Sequence, residues 1–143
     1  PVVMLDKTDG DYWETWLTFV TEHLYKIGFV SEEDFHLFKI FHDVNAAVNE
    51  ITGYYRVYHS ARWVGQKLII RMVRPLTPAA VAQLNDKFGD LLRRGTIVQG
   101  KALPQEQNEP EVLALPRLIC CPHRSSFGRL RQLIDAINRA ECA

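Results

Sequence analysis

Pro1-Val2-Val3-Met4-Leu5, followed by Asp6-Lys7-Thr8-Asp9-Gly10, is the stretch on which the reading of this chain turns. A short apolar run closed by turn-forming residues is the pattern of a parallel strand covered on both faces. Downstream, from about Tyr12 to Ile27, Trp13, Trp16, Leu17, Val20, Leu24 and Ile27 fall on one helical face, and Gly28 suits the position after a helix end. A covered strand needs neighbours on either side. The expectation is therefore that this chain is the back end of a larger protein.

Working outward, Ser31-Glu32-Glu33-Asp34 resembles a capping box with Asp34 in place of the usual Glu, and it leads into a second strand, Phe38-Lys39-Ile40-Phe41. Asp43 can cap a helix whose apolar face is Val44, Ala47, Val48, Ile51, Tyr55 and Tyr58. Strand, two helices, strand and helix form a crossover, and the right-handed rule makes its two strands parallel. Two strands cannot complete a doubly wound sheet. Residues 1–58 thus read as the C-terminal part of a Rossmann-like parallel sheet, β-α-α-β-α.

The helix is expected to run on through Tyr58-His59-Ser60-Ala61-Arg62-Trp63-Val64 and stop at Gly65. Lys67–Val73 then reads as a strand. Thr77 caps a helix with Pro78 at its first position, burying Val81, Leu84, Phe88 and Leu91. Thr96–Leu103 and Arg117–Cys121 are further strands, separated by a polar loop from Pro104 to Glu111. Ser125 or Ser126 opens a last helix with Phe127, Leu130, Ile134 and Ile137 on one face. Residues 59–143 therefore read as a small βαββα module of the α+β class. The fold class is α/β followed by that module.

With 143 residues, 47% of them hydrophobic, the chain can build one core or two small ones. No apolar run approaches the roughly 20 residues that span a bilayer, so no membrane association is expected. Cys120, Cys121 and Cys142 are an odd set without framework spacing, which fits a reducing, cytoplasmic setting. Charge is divided unevenly. Residues 1–58 carry four Lys/Arg against ten Asp/Glu, net −6, and residues 59–143 carry thirteen against seven, net +6. The division suggests two units packed on each other or on a twofold mate, or simple drift in composition.

Tyr54, Tyr55, Tyr58, His59, Arg62 and Trp63 form the densest polar-aromatic cluster. On a helix Tyr55, Tyr58, His59 and Arg62 share adjoining faces, either lining a ligand edge or packing as a linker. Arg71, Arg74, Arg117, Arg124, Arg129 and Arg131 make the second half basic, which reads as a solvated face or, around Arg124-Ser125-Ser126, as an anion site at a helix start. The candidate ligand-binding residues are Tyr58, His59, Arg62 and Arg124. Cys120-Cys121-Pro122-His123 lacks the spacing that brings two thiolates to one ion, so no metal is expected. Glu32, Glu33 and Asp34 suit a helix start rather than acid–base work. His23, His36 and His42 show no partners and read as surface or strand-edge residues.

Three stretches carry a resemblance. They are Pro1–Leu5 with Asp11-Tyr12-Trp13 and Gly28-Phe29-Val30-Ser31; the tract from Ile51-Thr52-Gly53-Tyr54-Tyr55-Arg56 to Trp63-Val64-Gly65; and Phe127-Gly128-Arg129-Leu130-Arg131-Gln132-Leu133-Ile134-Asp135-Ala136-Ile137-Asn138. Together they resemble the C-terminal portion of the long bacterial LOG (Lonely Guy) family, often labelled lysine decarboxylase-like. The resemblance implies a parent that hydrolyses the N-glycosidic bond of nucleoside 5′-monophosphates, releasing base and ribose 5-phosphate. The family's glycine-rich PGGxGTxxE motif is missing here, and Gly10 and Gly28 are too isolated to cradle a phosphate. N-glycosidic cleavage needs a placed carboxylate and a ribose-phosphate pocket. The chain alone is accordingly expected to be inactive, with no catalytic residue and no cofactor of its own. The parent's partners are expected to be a nucleoside monophosphate and further copies of itself, with no nucleic acid. The alternative is a non-enzymatic regulatory or dimerisation module that binds a small anion or nucleotide.

Overall fold

A computed structural model describes residues 1–143. It is a mixed α/β structure with one parallel sheet of two strands and one antiparallel sheet of four. No helix is long and apolar enough to cross a membrane.

Strand β1 (Val2–Leu5) lies parallel to β2 (Phe38–Phe41), with Val2 opposite Phe38 and Leu5 opposite Phe41. The turn after β1 is organised by Asp6, whose carboxylate accepts from the backbone N–H groups of Lys7 (2.8 Å) and Tyr12 (2.9 Å). Gly10 closes that turn because a Cβ there would sit 2.2 Å from the Asp6 carboxylate. Helix α1 (Tyr12–Val20) follows, and Trp13 Nε1 donates to the Leu5 carbonyl at 3.1 Å. The helix expected to reach Ile27 and stop at Gly28 continues past Val20 to Tyr25 and closes at Gly28, φ +81°, but its second part is not α-helical. Thr21–Tyr25 is wound as a π-helix, which turns later residues off the 3.6-residue face, and Ile27 ends 61% exposed. The strand is not covered on both sides either: Val2 and Leu5 are 52% and 44% exposed, and neither β1 nor β2 has a second neighbour.

Ser31 and Asp34 do form the reciprocal cap, with the Ser31 N–H and hydroxyl donating to Asp34 Oδ2 at 3.0 and 2.9 Å. It opens a 3₁₀ helix over Glu32–Leu37. Helix α2 (Val44–Tyr54) is capped by Asp43, whose Oδ1 accepts from Ala46 N at 2.7 Å. This helix stops at Tyr54 and does not continue to Gly65. Tyr58–Val64 is instead strand β3, joined to β4 (Lys67–Met72) by a two-residue hairpin with Gly65 at φ +59°. The tract is rich in Tyr, Trp and Val, which favour extended backbone. The positive φ of Gly65 serves a turn between strands, where a helix stop was expected.

Thr77 and Pro78 start helix α3 (Pro78–Phe88), as the sequence predicts, with Thr77 Oγ1 accepting from Ala80 N at 3.2 Å. Strand β5 (Leu92–Gly100) begins earlier than expected and is followed by β6 (Arg117–Pro122) and helix α4 (Phe127–Arg139). The second unit is thus ββαββα, with strand order β3-β4-β6-β5 and every pairing antiparallel. Leu68, Ile70, Met72, Leu118 and Cys120 point to one face, where they meet Leu84 and Phe88 of α3 and Leu133 and Ile137 of α4. This is the main core. The opposite face carries Ile69, Arg71 and Arg117, because side chains alternate along each strand.

Helix α4 joins the two units, packing on the 3₁₀ turn of the first unit through Gly128. A Cβ at Gly128 would lie 2.0 Å from the Glu33 carbonyl oxygen, so the helix and the turn touch backbone to backbone. Gly128→Ala should force them apart and cost about 1–3 kcal/mol, read as a fall in thermal midpoint. An unchanged midpoint would mean the contact yields freely.

Candidate functional site

The four residues singled out from the sequence lie in separate places. Tyr58 is half-buried within a cluster of edge-on rings, 5.1 Å from Tyr54, which itself lies 4.9 Å from Tyr55. Burial pushes the Tyr54 hydroxyl well above the usual tyrosine range, helped by the neighbouring Tyr58. His59 is exposed, with Nδ1 2.9 Å from Ser60 Oγ, at a bulge between Tyr58 and Ser60. Arg62 points to the helix-free face of the antiparallel sheet and holds Glu109 (2.5 Å) and Asn108 (3.2 Å). Arg124 lies over the Trp63 ring at 4.7 Å and donates to the Gly65 carbonyl at 2.7 Å. The helical spacing that would join Tyr58, His59 and Arg62 is absent because the tract is a strand.

The tyrosines belong to the joint between the two units. There the buried Arg131 of α4 reaches Glu50 of α2 at 2.5 Å and Asp135 at 2.9 Å, with its guanidinium 5.0 Å from the centre of the Tyr54 ring. Lys39 holds the other Glu50 oxygen at 2.7 Å. Asn138 Oδ1 accepts from the N–H groups of Val57 (2.8 Å) and Tyr58 (2.9 Å), and its amide donates to the Tyr54 carbonyl (2.5 Å). Burial pushes the Glu50 carboxyl up, but Lys39 and Arg131 outweigh it and hold the group below its ordinary range. The adjoining cavity of about 190 Å³ is lined by Lys39, Glu50, Tyr54, Asp135 and Asn138 of this network, together with Arg56 and Arg139. Arg131 and Glu50 give physical form to the opposite charge of the two halves.

A second cluster occupies the helix-free face of the antiparallel sheet. The sequence suggests solvated arginines and a plain polar loop, and the structure corrects both. Residues 101–116 fold back as a strap, and Glu106 and Arg117 are fully buried, with Arg71 only 5% exposed. Arg71 Nε and Nη2 donate to Glu106 Oε1 at 3.0 and 2.9 Å. Arg117 Nε and Nη2 reach Oε2 and Oε1, each at 3.3 Å, and Leu103 N–H donates to Oε2 at 2.9 Å. Glu109 bridges Arg71 and Arg62, at 2.5 Å each. Burial raises the Glu106 carboxyl, but the Leu103 N–H and the two guanidiniums outweigh it and lower the group. No buried side-chain polar atom in the protein lacks a partner. Nothing in the composition of Pro104–Glu111 announces this pairing.

Neither carboxylate is placed as a proton donor. Glu50 and Glu106 are each held ionised by two cations, so both act as pins. The start of α4, read from the sequence as a solvated basic face or an anion site, adjoins a cavity of about 290 Å³ whose lining includes Glu33, Asp34 and Asp90. Arg129 there is engaged by Asp90 through two contacts of 2.8 Å. No group of three or more His, Cys, Asp or Glu side chains is placed to hold a metal ion. Burial pushes the Cys120 thiol up to about 12.

His42, read from the sequence as partnerless, is doubly engaged. Its Nδ1 lies 3.1 Å from the Lys7 carbonyl and its Nε2 2.7 Å from Glu14 Oε1. Both partners accept only, so the ring must carry both protons to satisfy them. The Lys7 carbonyl first, then Glu14, raises its pKa above the ordinary value. The contribution to stability is full below the unfolded pKa and is lost as pH rises through the folded one. An NMR titration should place His42 above a model histidine, and Glu14→Gln should bring it down. A midpoint unmoved by that change would remove Glu14 as a cause.

Compared with protein-family models, with curated proteins and with solved structures, the chain matches none.

Proposed function

We propose that this chain is the C-terminal part of a LOG-family nucleoside 5′-monophosphate phosphoribohydrolase-like protein, whose parent releases free base and ribose 5-phosphate. The observation that carries the reading is the parallel pair β1–β2, whose two outer edges are unpaired. Val2, Leu5, Phe19, Val44, Val48 and Ile51 around it are exposed. Such edges and faces suit a Rossmann-like sheet that continues into further strands. The tyrosine tract and the closing helix, which carry the resemblance, are the two segments that meet at the Arg131–Glu50 joint. On this reading residues 59–143 are an appended packing module. The parent is a cytoplasmic homo-oligomer that takes a nucleoside monophosphate.

The 143-residue chain incubated with AMP is expected to release no adenine, because it lacks the PGGxGTxxE segment and its clustered carboxylates, Glu50 and Glu106, are both neutralised by cations. A longer chain that adds an upstream PGGxGTxxE segment is expected to release it. Adenine from the short chain, or none from the long one, would defeat the proposal.

A further inference from the structure

We propose that the part of the antiparallel sheet's helix-free face left open beside the strap is a binding site for a phosphate-bearing small molecule, held by Lys67, Arg93 and Arg94 around Cys121, with Arg124 at the adjoining end of the sheet. This goes beyond the parentage proposed above and does not depend on it.

The register builds the site. Leu68 pairs with Cys120, which sets Lys67 opposite Cys121, and Arg94 pairs with Cys121 from the other side. Since Leu68 and Cys120 face the core, Lys67, Cys121 and Arg94 form a row on the opposite face. Two cations thus flank one thiol on adjacent strands. Strand β5 then bulges: Arg94 and Val98 are four residues apart while their partners, Cys121 and Ile119, are two apart. Gly95 takes φ +71° in this bulge. Asn85 secures the bulge, donating to the Ile97 carbonyl at 2.9 Å and accepting from its N–H at 2.7 Å. A bulge fixed by a side chain re-aims the residues beside it and recurs at functional sites.

Two cavities adjoin at Cys121. One, of about 300 Å³, is lined by Arg93, His123 and Arg124; the other, of about 620 Å³, by Lys67, Arg94, Val98 and Ile119. No Asp or Glu lines either one, in a chain that contains 17 of them. Lys67, Arg93 and Arg94 enter none of the chain's ion pairs. Arg124 is already oriented by Trp63 and the Gly65 carbonyl. Every other cluster of cations described above is neutralised by carboxylates, so this one stands apart. Guanidiniums in a water-accessible groove suit phosphate oxygens, which they bind two at a time. Val98, 54% exposed, and Ile119 supply an apolar floor for the organic part of the ligand. The lining offers no Phe, Tyr or Trp ring, and His123 alone is too little for a run of bases to stack on, which favours a small molecule over nucleic acid.

Cys121 makes the site readable. The intact chain is alkylated with iodoacetamide at matched ionic strength, and modification of Cys121 and Cys142 is followed by peptide mass. Millimolar tripolyphosphate or ATP should slow Cys121 at least about fivefold, as near-saturating occupancy requires, and leave Cys142 unchanged. Arg93→Ala/Arg94→Ala should abolish the protection with an unchanged thermal midpoint, while Arg56→Ala/Arg74→Ala should keep it. Stronger protection by ATP assigns the Val98–Ile119 floor to the base, and equal protection assigns recognition to phosphate alone; both support the site. Absence of protection by either probe overturns the proposal, as does equal protection of Cys142 or protection that survives in Arg93→Ala/Arg94→Ala. Stronger, steeply salt-dependent protection by a single-stranded octanucleotide would replace the small molecule with nucleic acid.

Discussion

Glu106→Ala is expected to destabilise the protein by about 3–5 kcal/mol, the typical cost of stranding buried charge by removing its partner. Arg71 and Arg117 both point at this carboxylate from a face that the strap seals from water. Without it, two guanidiniums share only Glu109 and backbone carbonyls. The thermal midpoint should fall on the order of 10 °C. A control separates charge from packing. Arg71→Met/Glu106→Leu/Arg117→Met removes all three charges together and should recover most of the loss, since apolar replacement of a whole buried ion cluster is often near neutral. If the triple variant is no better than Glu106→Ala, shape rather than charge holds the strap. The pH dependence has a definite sign. The folded carboxyl titrates below its ordinary value, so its stabilisation is complete above the unfolded pKa and disappears as pH falls through the folded one. Glu106→Ala should lack that acid-sensitive component.

Asn138→Ala is the second large effect, expected at about 2–4 kcal/mol. One side-chain oxygen satisfies two backbone N–H groups, Val57 and Tyr58, where α2 gives way to β3. Val57 is 1% exposed, so water cannot replace the lost acceptor there. Each stranded donor costs about 1–3 kcal/mol. Asn138→Asp keeps the acceptor but removes the amide that donates to the Tyr54 carbonyl, and should lose less than the alanine variant. Urea unfolding of the three proteins checks the order, and equal loss in both variants would make the Tyr54 contact the important one.

Features encoded by neighbouring residues were legible in the sequence. The strand limits at Val2–Leu5 and Phe38–Phe41, the Ser31–Asp34 reciprocal cap, and the caps at Asp43 and Thr77 all depend on chemistry within a few positions. The Tyr58–Val64 strand was not legible. Its apolar residues satisfy both a helical and an alternating period, and an acceptor some 80 residues away helps fix the end of α2. Nor was the Glu106 cluster, because a glutamate in a polar loop carries no local mark of the two arginines that will bury it. Arg124 was singled out as a cation near a helix start. Its place in a cavity with Arg93 and Cys121 depends on strand pairing and register, which the sequence expresses only weakly.

The joint at α4 also bears on synthesis. Glu50 and Val57 each find their α4 partners 81 positions later. A ribosome delivers the acidic half first, and that half waits, its greasy surfaces bare, until the final helix emerges to clasp it. Premature termination upstream of Phe127 would leave nascent product without its fastener, and such product is what quality-control chaperones and proteases would meet.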